Sequence, residues 1–280
     1  MTNIEATKAH TNGNDFLLIE HQHIRHMELF VKKIAHRRLG IGCDQVIYFK
    51  YLEEGKVQCS FYNQDGSGAD LCLNGVFALA TFLQNKETRK WEIVTSHHCF
   101  HSQKITGQVV VTLAKGNTPT IDDVLLTSPH AKPEQYNAKL VQTGNQHLIV
   151  QTQQVNDFPL EELALSATTR ALFPDGINVS IFEKKSNRLT MRTHERGAGL
   201  TLSCGSAGLA VYLINQPKAN ETVEVEQPGG SLFFTQMSDK TINITASSAI
   251  IATLTINKLE TDQEKTKHQT LTTAPQSENR

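Results

Sequence analysis

Runs in which apolar residues alternate with polar ones dominate the chain, and most of them predict β-strands. The runs of the first half are rich in β-branched and aromatic residues. They lie at Phe16–Ile19, Gln45–Phe49, Val57–Tyr62, Trp91–Thr95 and Val109–Leu113. Helical spacing of apolar residues occurs over about Met27–Arg38, and again from Cys72 to about Lys86. The first half therefore predicts a sheet accompanied by two helices.

The second half repeats this order of elements. Its strand-like runs lie at Lys139–Gln142, Leu148–Gln151, Ile177–Phe182, Leu189–Thr193, Glu221–Val225, Ser231–Thr235 and Ile242–Ala246. A helix is predicted after Cys204, in the place that the helix after Cys72 takes in the first half. A repeat of such long period indicates a duplicated domain. The last run, about Ala249–Asn257, has no evident partner in the second half, and we expect it to return to the first.

Changes in composition predict the domain boundaries. The segment Lys115–Pro119 combines glycine, asparagine and proline, which is typical of a boundary. We expect one domain over residues 1–117 together with the return strand at 249–257, and a second domain over residues 118–248. Residues 258–280 are almost all polar. A segment so poor in apolar groups is predicted to be disordered.

Composition argues against several classes of protein. Apolar residues make up 39% of the 280, and no run reaches the ~20 apolar residues of a membrane-spanning helix. The first residues lack the pattern of a signal peptide, so we expect a cytoplasmic protein without a membrane partner. The 27 basic and 28 acidic residues give no electrostatic basis for binding nucleic acid. Five scattered cysteines match neither a disulfide framework nor a zinc site, so no metal is expected.

Two segments built on the same plan carry the candidate chemistry. In Asp65–Gly75 and Glu195–Gly208, a glycine- and serine-rich approach leads to one cysteine, and an apolar helix follows. The N-terminus of a helix stabilises a thiolate through the helix dipole and through backbone N–H groups. One such cysteine predicts a nucleophile. Two of them, Cys72 and Cys204, predict a pair of thiols that face one substrate.

A substrate carbon held between two thiols can be inverted. One thiolate removes a proton from one face of the carbon, and the opposite thiol delivers a proton to the other face. A carboxylate on that carbon would bind to backbone N–H groups at the two helix N-termini, which also stabilise the developing negative charge. The candidate donors are Leu73, Asn74, Gly205 and Ser206.

His147 and Glu195 are candidates to assist the thiols. A free thiol has a pKa of ~8.5 and is mostly protonated at neutral pH, so a nearby base would help it. Gly144–His147 predicts a polar turn between strands, and Glu195 directly precedes the glycine loop of the second cysteine. The residues alone leave two alternatives open, namely a solvated histidine and a surface ion pair between Glu195 and Arg196.

Together, these motifs resemble the diaminopimelate epimerase family of pyridoxal-independent amino-acid epimerases. Motifs similar to those of the family occur in family order at His10–Phe16, Gly40–Gln45, Phe61–Ser67, Gly144–His147, Asn178–Val179, Glu195–Ser206 and Pro228–Gly230. The similarity covers about residues 9–257. It implies an α+β fold of two pseudo-symmetric domains, each a mixed sheet or small barrel around a central helix, with the site in the cleft between them.

The resemblance also implies roles for named residues. Cys72 and Cys204 would be the acid–base pair, tuned by His147 and Glu195, in a homodimer that needs no cofactor. The substrate would be an amino acid with an amino-acid group at each end, as in diaminopimelate. The substrate-binding residues implied are Asn14, Gln45, Asn63, Leu73, Asn74, Asn145, Asn178, Glu195, Arg196, Gly205 and Ser206.

The sequence departs from the family pattern at Leu73, Phe77, Leu200 and Gln146. The family has glycine at Leu73, and leucine there is expected to restrict the backbone. Two alternatives therefore stay open: a racemase of another amino acid on the same fold, and a non-catalytic amino-acid-binding relative. The presence of both cysteines favours an enzyme, and the set of polar residues for a second amino-acid end favours diaminopimelate.

Overall fold

The fold is a mixed β-sheet wrapped around two buried helices. The computed structural model describes residues 3–87, 89–113, 120–127 and 135–257. The strands of the first half are β1 (Ile4–Thr11), β2 (Asn14–Glu20), β3 (Gln45–Glu53), β4 (Lys56–Asn63), β5 (Gly68–Ala69), β6 (Trp91–Val94), β7 (Cys99–Ile105) and β8 (Gln108–Leu113). The helices of this half are α1 (Met27–Ala35) and α2 (Leu73–Lys86).

The second half adds ten strands in the described residues. They are β9 (Ile121–Thr127), β10 (Gln135–Gln142), β11 (Gln146–Gln151), β12 (Asn178–Lys185), β13 (Arg188–Glu195), β14 (Gly199–Thr201), β15 (Thr222–Gln227), β16 (Gly230–Gln236), β17 (Ile242–Ala246) and β18 (Ser248–Ile256). Its helices are α3 (Leu160–Ala164), α4 (Ala167–Leu172) and α5 (Gly205–Ile214).

The two halves have the same order of strand pairing. In the first half, β1 pairs antiparallel with β2, β2 parallel with β3, β3 antiparallel with β4 and β4 parallel with β6. In the second half, β10, β11, β12, β13 and β15 pair in the same sequence of directions. The mixed α+β architecture predicted from the sequence is therefore confirmed.

Strands at both edges tie the halves together. The last strand, β18, returns to pair antiparallel with β1, and β9 pairs with β10 in the corresponding place. β8 and β17 also pair with each other across the junction. The division into two domains at residue 117 stays a prediction. The predicted boundary segment at 115–119 and the tail at 258–280 lie outside the described residues.

Each half encloses one central helix. Val76, Phe77 and Leu79 of α2 are fully buried, as are Ala210 and Val211 of α5. Burial on all sides explains why apolar residues occupy nearly every face of both helices. Phe77, one of the departures from the family pattern, is therefore a core residue. None of the helices in the described ranges is long and apolar enough to cross a membrane.

The crossover segments differ from the sequence-based expectation. Helix α1 ends at Ala35 rather than near Arg38, because His36 takes an extended backbone conformation. The His36 Nδ1 then accepts the N–H groups of Arg38 and Leu39, at 3.1 and 3.0 Å, which stabilises the turn. Helices α3 and α4, between β11 and β12, were not predicted because they have only five and six residues, too few for a helical period.

Candidate active site

The topology brings the predicted site residues to one edge of each half-sheet. Strands β2 and β3 are parallel and begin at the same edge, and antiparallel β4 ends there. Asn14 is the first residue of β2, Gln45 the first of β3 and Asn63 the last of β4. The second half repeats this geometry. Asn178 begins β12 opposite His147 of β11, and Glu195 ends β13.

The two cysteine-bearing helices begin beside these strand ends. Cys72 is the N-cap residue of α2, and its Sγ accepts the backbone N–H of Gly75 at 3.3 Å. Cys204 is the N-cap residue of α5 and has a similar extended backbone conformation. Because N–H groups of the first turn have no partner within a helix, both N-termini offer donors to an anion.

The N-termini of α2 and α5 abut each other. A Cβ atom added to Gly205 would lie only 2.8 Å from Asn74 Oδ1 and 2.9 Å from Leu73 Cβ. Gly205 is therefore the residue that permits the approach. Leu73 itself has an ordinary negative φ, so the expectation that leucine restricts the backbone there is wrong. Its Cβ occupies space that the missing side chain of Gly205 leaves open.

Asn74 is the polar link between the halves at this junction. Its Nδ2 donates to the carbonyl oxygen of Ser203 at 3.2 Å and to Asn14 Oδ1 at 3.4 Å. Its own carbonyl oxygen accepts from the Thr11 hydroxyl at 2.9 Å. Its Oδ1 is buried and has no hydrogen-bond partner within the described residues. A buried acceptor without a donor is unfavourable, and a bound ammonium or N–H group would satisfy it.

Cys204 is held by two side chains of the second half. The Gln227 amide bonds both to the backbone N–H of Cys204, at 2.7 Å, and to its carbonyl oxygen, at 3.3 Å. The Ser206 hydroxyl lies 3.6 Å from Cys204 Sγ and 2.9 Å from His147 Nε2. His147 is thus connected to the Cys204 thiol through a hydroxyl group.

Comparison with known proteins decides the family. The family model described as diaminopimelate epimerase matches residues 6–114 and 139–250. The chain belongs to the diaminopimelate epimerase family. A curated relative, the diaminopimelate epimerase of Methanocella arvoryzae, is 31% identical over an alignment of 261 residues that covers 85% of this chain and 92% of that protein.

Solved structures of other proteins share the fold. The Bacillus anthracis phenazine biosynthesis protein of the PhzF family has a TM-score of 0.68 at 15% identity, covering 92% of this chain and all of that one. A probable proline racemase from Agrobacterium radiobacter has a TM-score of 0.67 at 9% identity, covering 91% and 93%. At such low identity, these likenesses show the fold alone.

Burial governs the acidity of both thiols in this family member. It raises the pKa of the Cys72 thiol to about 12, although the Gly75 N–H opposes the shift. Burial, followed by the charge of Glu195, raises the pKa of Cys204 well above its ordinary value. The backbone N–H groups at the helix N-termini do lower the pKa of both thiols, as predicted, but the loss of solvation is larger and decides the net direction.

The two tuning candidates are also withdrawn from solvent, His147 completely and Glu195 in part. His147 lies within β11 and is completely buried, so the prediction of a polar turn at this residue is wrong. Burial lowers the pKa of His147 to about 3, which keeps the imidazole neutral at physiological pH. Burial raises the pKa of Glu195, while a 2.6 Å hydrogen bond from the Thr201 hydroxyl opposes that shift.

Several residues predicted to bind substrate are hydrogen-bonded to one another or across the junction of the halves. Gln45 donates to Asn63 Oδ1 at 2.9 Å, and the Asn178 Oδ1 accepts the backbone N–H of Arg196 at 2.9 Å. Asn145 donates across the junction of the halves to the carbonyl oxygen of Leu71, at 3.0 Å. The side chain of Arg196 is exposed.

Sequence reasoning missed three contributors to the site. Gln227 was not singled out because it lies in a strand far from either cysteine motif. Thr201 bonds to Glu195, and the Ser206 side chain adds a hydroxyl where the sequence suggested only a backbone N–H. Within the described ranges, no cluster of three or more His, Cys, Asp or Glu side chains is arranged to hold a metal ion.

Proposed function

We propose that this protein interconverts LL- and meso-diaminopimelate by moving protons at the α-carbon with Cys72 and Cys204, without a cofactor. The observation that carries the proposal is that both cysteines cap helices whose N-termini abut. A substrate carbon at this junction would have one thiol on each face. Membership of the diaminopimelate epimerase family supports the reaction and suggests the substrate.

The helix N-termini would bind the α-carboxylate. Leu73 and Asn74 begin α2, and Gly205 and Ser206 begin α5, so their backbone N–H groups converge on the junction. As the α-proton leaves, negative charge spreads onto the carboxylate. Fixed donors aimed at that charge stabilise the transition state without having to reorganise.

Burial of the thiols serves the chemistry. The α-proton of an amino acid is a weak acid, so a base of high pKa is better matched to it than an ordinary thiolate. The raised pKa of Cys72, about 12, makes its thiolate a strong base once it forms. In each direction of the reaction, one cysteine begins as the thiolate base and the other as the thiol acid.

We propose that His147, through Ser206, and Glu195 act in opposite directions on the pKa of the Cys204 thiol. Neutral His147 reaches Cys204 through the Ser206 hydroxyl, which can either accept from the thiol or donate to the thiolate. Glu195 lies close enough for its charge to disfavour the Cys204 thiolate. The hydroxyl and the carboxyl group thus act in opposite directions on the same thiol.

The far end of the substrate would be recognised by the amides Asn63, Asn145 and Asn178, together with Glu195 and Arg196. A guanidinium and amide N–H groups suit a carboxylate, whereas a carboxylate and amide oxygens suit an ammonium. This set supplies both kinds of partner. It therefore favours a substrate that carries a second amino-acid group.

The deciding experiment follows LL-diaminopimelate with the reduced protein in D2O, using chiral separation and mass spectrometry. We expect the meso isomer to form with deuterium at the inverted carbon, and Cys72→Ala and Cys204→Ala each to abolish inversion. Cys59→Ala is the matched control, because Cys59 is a buried core residue. Inversion that survives in either site variant would contradict the two-thiol mechanism.

The same experiment separates the alternatives. Exchange with another amino acid but not with diaminopimelate would indicate a racemase of different specificity. Binding of diaminopimelate without any exchange would indicate a non-catalytic relative. We further propose a cytoplasmic homodimer that acts in lysine and peptidoglycan precursor synthesis, and light scattering of the purified protein tests its oligomeric state.

A further inference from the structure

The side chain of Asn14 lies between an ionic cluster and the Cys72 thiol. Its Nδ2 is 2.8 Å from Asp44 Oδ2, and its Oδ1 is 4.0 Å from Cys72 Sγ. We propose that Asp44 is a positioning residue, whose carboxylate holds the Asn14 amide with its oxygen, rather than its NH2 group, toward Cys72. The inference rests on the proposed role of Cys72 in proton transfer, because Asp44 would decide whether the oxygen or the NH2 group of Asn14 lies beside that thiol.

The neighbours of Asn14 fix the orientation of its amide. An amide presents an acceptor on one side and two donors on the other, so turning it over exchanges them. Reversal would set Asn14 Oδ1 against the Asp44 carboxylate, where two acceptors would share no proton. It would also set the NH2 group against the Nδ2 of Asn74, which donates to Asn14 at 3.4 Å. The contact with Asp44 is the shorter and the charged one, and is therefore the stronger.

Asp44 has two further partners of its own. Arg37 Nη2 lies 2.5 Å from Asp44 Oδ1, and the backbone N–H of Asp15 donates to Asp44 Oδ2 at 3.0 Å. The Asp15 carboxylate in turn binds Arg37 at 2.8 Å and Lys8 at 2.5 Å. Two carboxylates and two cations thus form a balanced cluster. Such a cluster can hold Asp44 in place while adding little net charge beside the thiol.

The orientation of Asn14 affects the acidity of Cys72. A carbonyl oxygen accepts from S–H and favours the thiol, whereas an NH2 group would donate to the thiolate and favour that form. The carboxylates of Glu195 and Asp44 also face Cys72, and the charge of each raises its pKa. Orientation and charge therefore act in the same direction, and the test has to separate them.

Two substitutions make that separation. Asp44→Asn and Asp44→Ala both remove the charge, but only asparagine keeps an oxygen that can accept from Asn14 Nδ2. The measurement is the pH dependence of iodoacetamide alkylation at Cys72, followed by peptide mass spectrometry in a Cys204→Ser background. We expect roughly three- to tenfold faster alkylation in Asp44→Ala than in Asp44→Asn at about pH 9, because the pKa of Cys72 is lower when the Asn14 amide can turn its NH2 group toward the thiolate. Equal rates would overturn the proposal.

A double-mutant cycle tests whether Asp44 acts through Asn14. In an Asn14→Ala background, the difference between the two Asp44 variants should disappear, and its persistence would also overturn the proposal. Protection of the buried Cys43 in the same spectra reports folding. Should Asp44→Ala fail to fold, Asp44→Ser replaces it, since a serine side chain is too short to reach the amide.

The assay uses no substrate, so its result is independent of the reaction. If alkylation separates the variants as expected but diaminopimelate is not inverted, the proposed function fails while the positioning of Asn14 stands. If inversion occurs but the two Asp44 variants alkylate alike, the positioning role fails while the proposed function stands.

Discussion

Replacement of Gly205 by alanine is expected to push the two cysteine-bearing helices apart. The new Cβ would lie 2.8 Å from Asn74 Oδ1, 2.9 Å from Leu73 Cβ and 3.1 Å from the backbone nitrogen of Asn74. The two shortest approaches are about half an ångström closer than ordinary van der Waals contact. The Asn74 oxygen can rotate aside, but the Leu73 Cβ and the Asn74 nitrogen move only with the helix. The helices must therefore separate by about half an ångström.

The separation should affect activity more than stability. Overpacking of a well-packed site costs about 1–3 kcal/mol, and the lower backbone entropy of unfolded alanine offsets up to about 1 kcal/mol of it. We therefore expect the free energy of unfolding to fall by about 1–2 kcal/mol. A misplacement of this size at reacting groups can slow catalysis by roughly 10- to 100-fold, so kcat/KM for diaminopimelate should fall by that factor.

Gly208→Ala provides the matched control in the same helix. Its Cβ would approach Leu232 Cδ1 at 2.9 Å and Gln227 Nε2 at 3.3 Å. Both atoms end flexible side chains, of which Leu232 can rotate away and Gln227 needs to move by only a few tenths of an ångström. Urea denaturation and the deuterium-exchange assay should find this variant close to the unmodified protein. The double variant Leu73→Gly/Gly205→Ala should recover part of the lost activity, because glycine at residue 73 removes the Leu73 Cβ with which the new methyl group collides.

Three results would count against this reasoning. Full activity in Gly205→Ala would show that the N-termini need not abut for catalysis. Equal losses in Gly205→Ala and Gly208→Ala would show that any added methyl group in α5 is harmful, whatever it meets. The absence of any rescue by Leu73→Gly would assign the effect to Asn74 rather than to the spacing of the helices.

Three further changes test the surroundings of Cys204. Ser206→Ala should lower kcat/KM by roughly tenfold and Ser206→Thr should restore most of it; equal rates would exclude a role for the hydroxyl. Gln227→Leu should reduce the free energy of unfolding by about 1–3 kcal/mol in urea, because two buried backbone groups of Cys204 lose their partner; an unchanged midpoint would contradict this. Because the pKa of His147 falls from 6.5 to about 3 on folding, its contribution to stability is complete above pH 6.5 and is lost as the pH falls toward 3. As the pH is lowered, urea denaturation should show the free energy of unfolding falling more steeply in the unmodified protein than in His147→Asn, by up to about 1.4 kcal/mol per pH unit. The same pH dependence of unfolding in both proteins would refute this account.

Most strands of the sheet could be predicted from the sequence, because the alternation of apolar and polar residues along each strand is a strong local signal. Strand β17 occupies the predicted range Ile242–Ala246, and β4 exceeds the predicted Val57–Tyr62 by one residue at each end. Strand β1 was missed because Ile4–Thr11 alternates through small alanines and threonines rather than large apolar residues. Its place in the sheet depends on pairing with β18 and β2. Distant pairing leaves no periodic signal in a short segment.

The site could be predicted from the sequence only where a local motif marks its residues. Both cysteines precede their helices as predicted, because glycine-rich sequence followed by an apolar run is a local signal. The burial of His147 could not be predicted from the sequence, because it depends on strands and a helix from elsewhere in the chain. The same holds for the acidity of Cys72 and Cys204. Sequence indicates which groups can titrate, but solvation decides where they titrate, and solvation is a tertiary property.

The repeated fold supplies two equivalent positions, yet the two thiols are not equivalent chemically. Cys72 is half-buried and faces an amide oxygen, whereas Cys204 is buried and faces a hydroxyl that is bonded to neutral His147. Under the proposed function, duplication would place one thiol on each side of the carbon, but it does not account for the different surroundings of the two thiols. Because the α-carbon is a stereocentre, its two faces present different arrangements of substituents to the protein. In the proposed reaction, the two thiols would therefore meet the carbon in unlike surroundings, with the Asn14 oxygen beside Cys72 and the Ser206 hydroxyl beside Cys204.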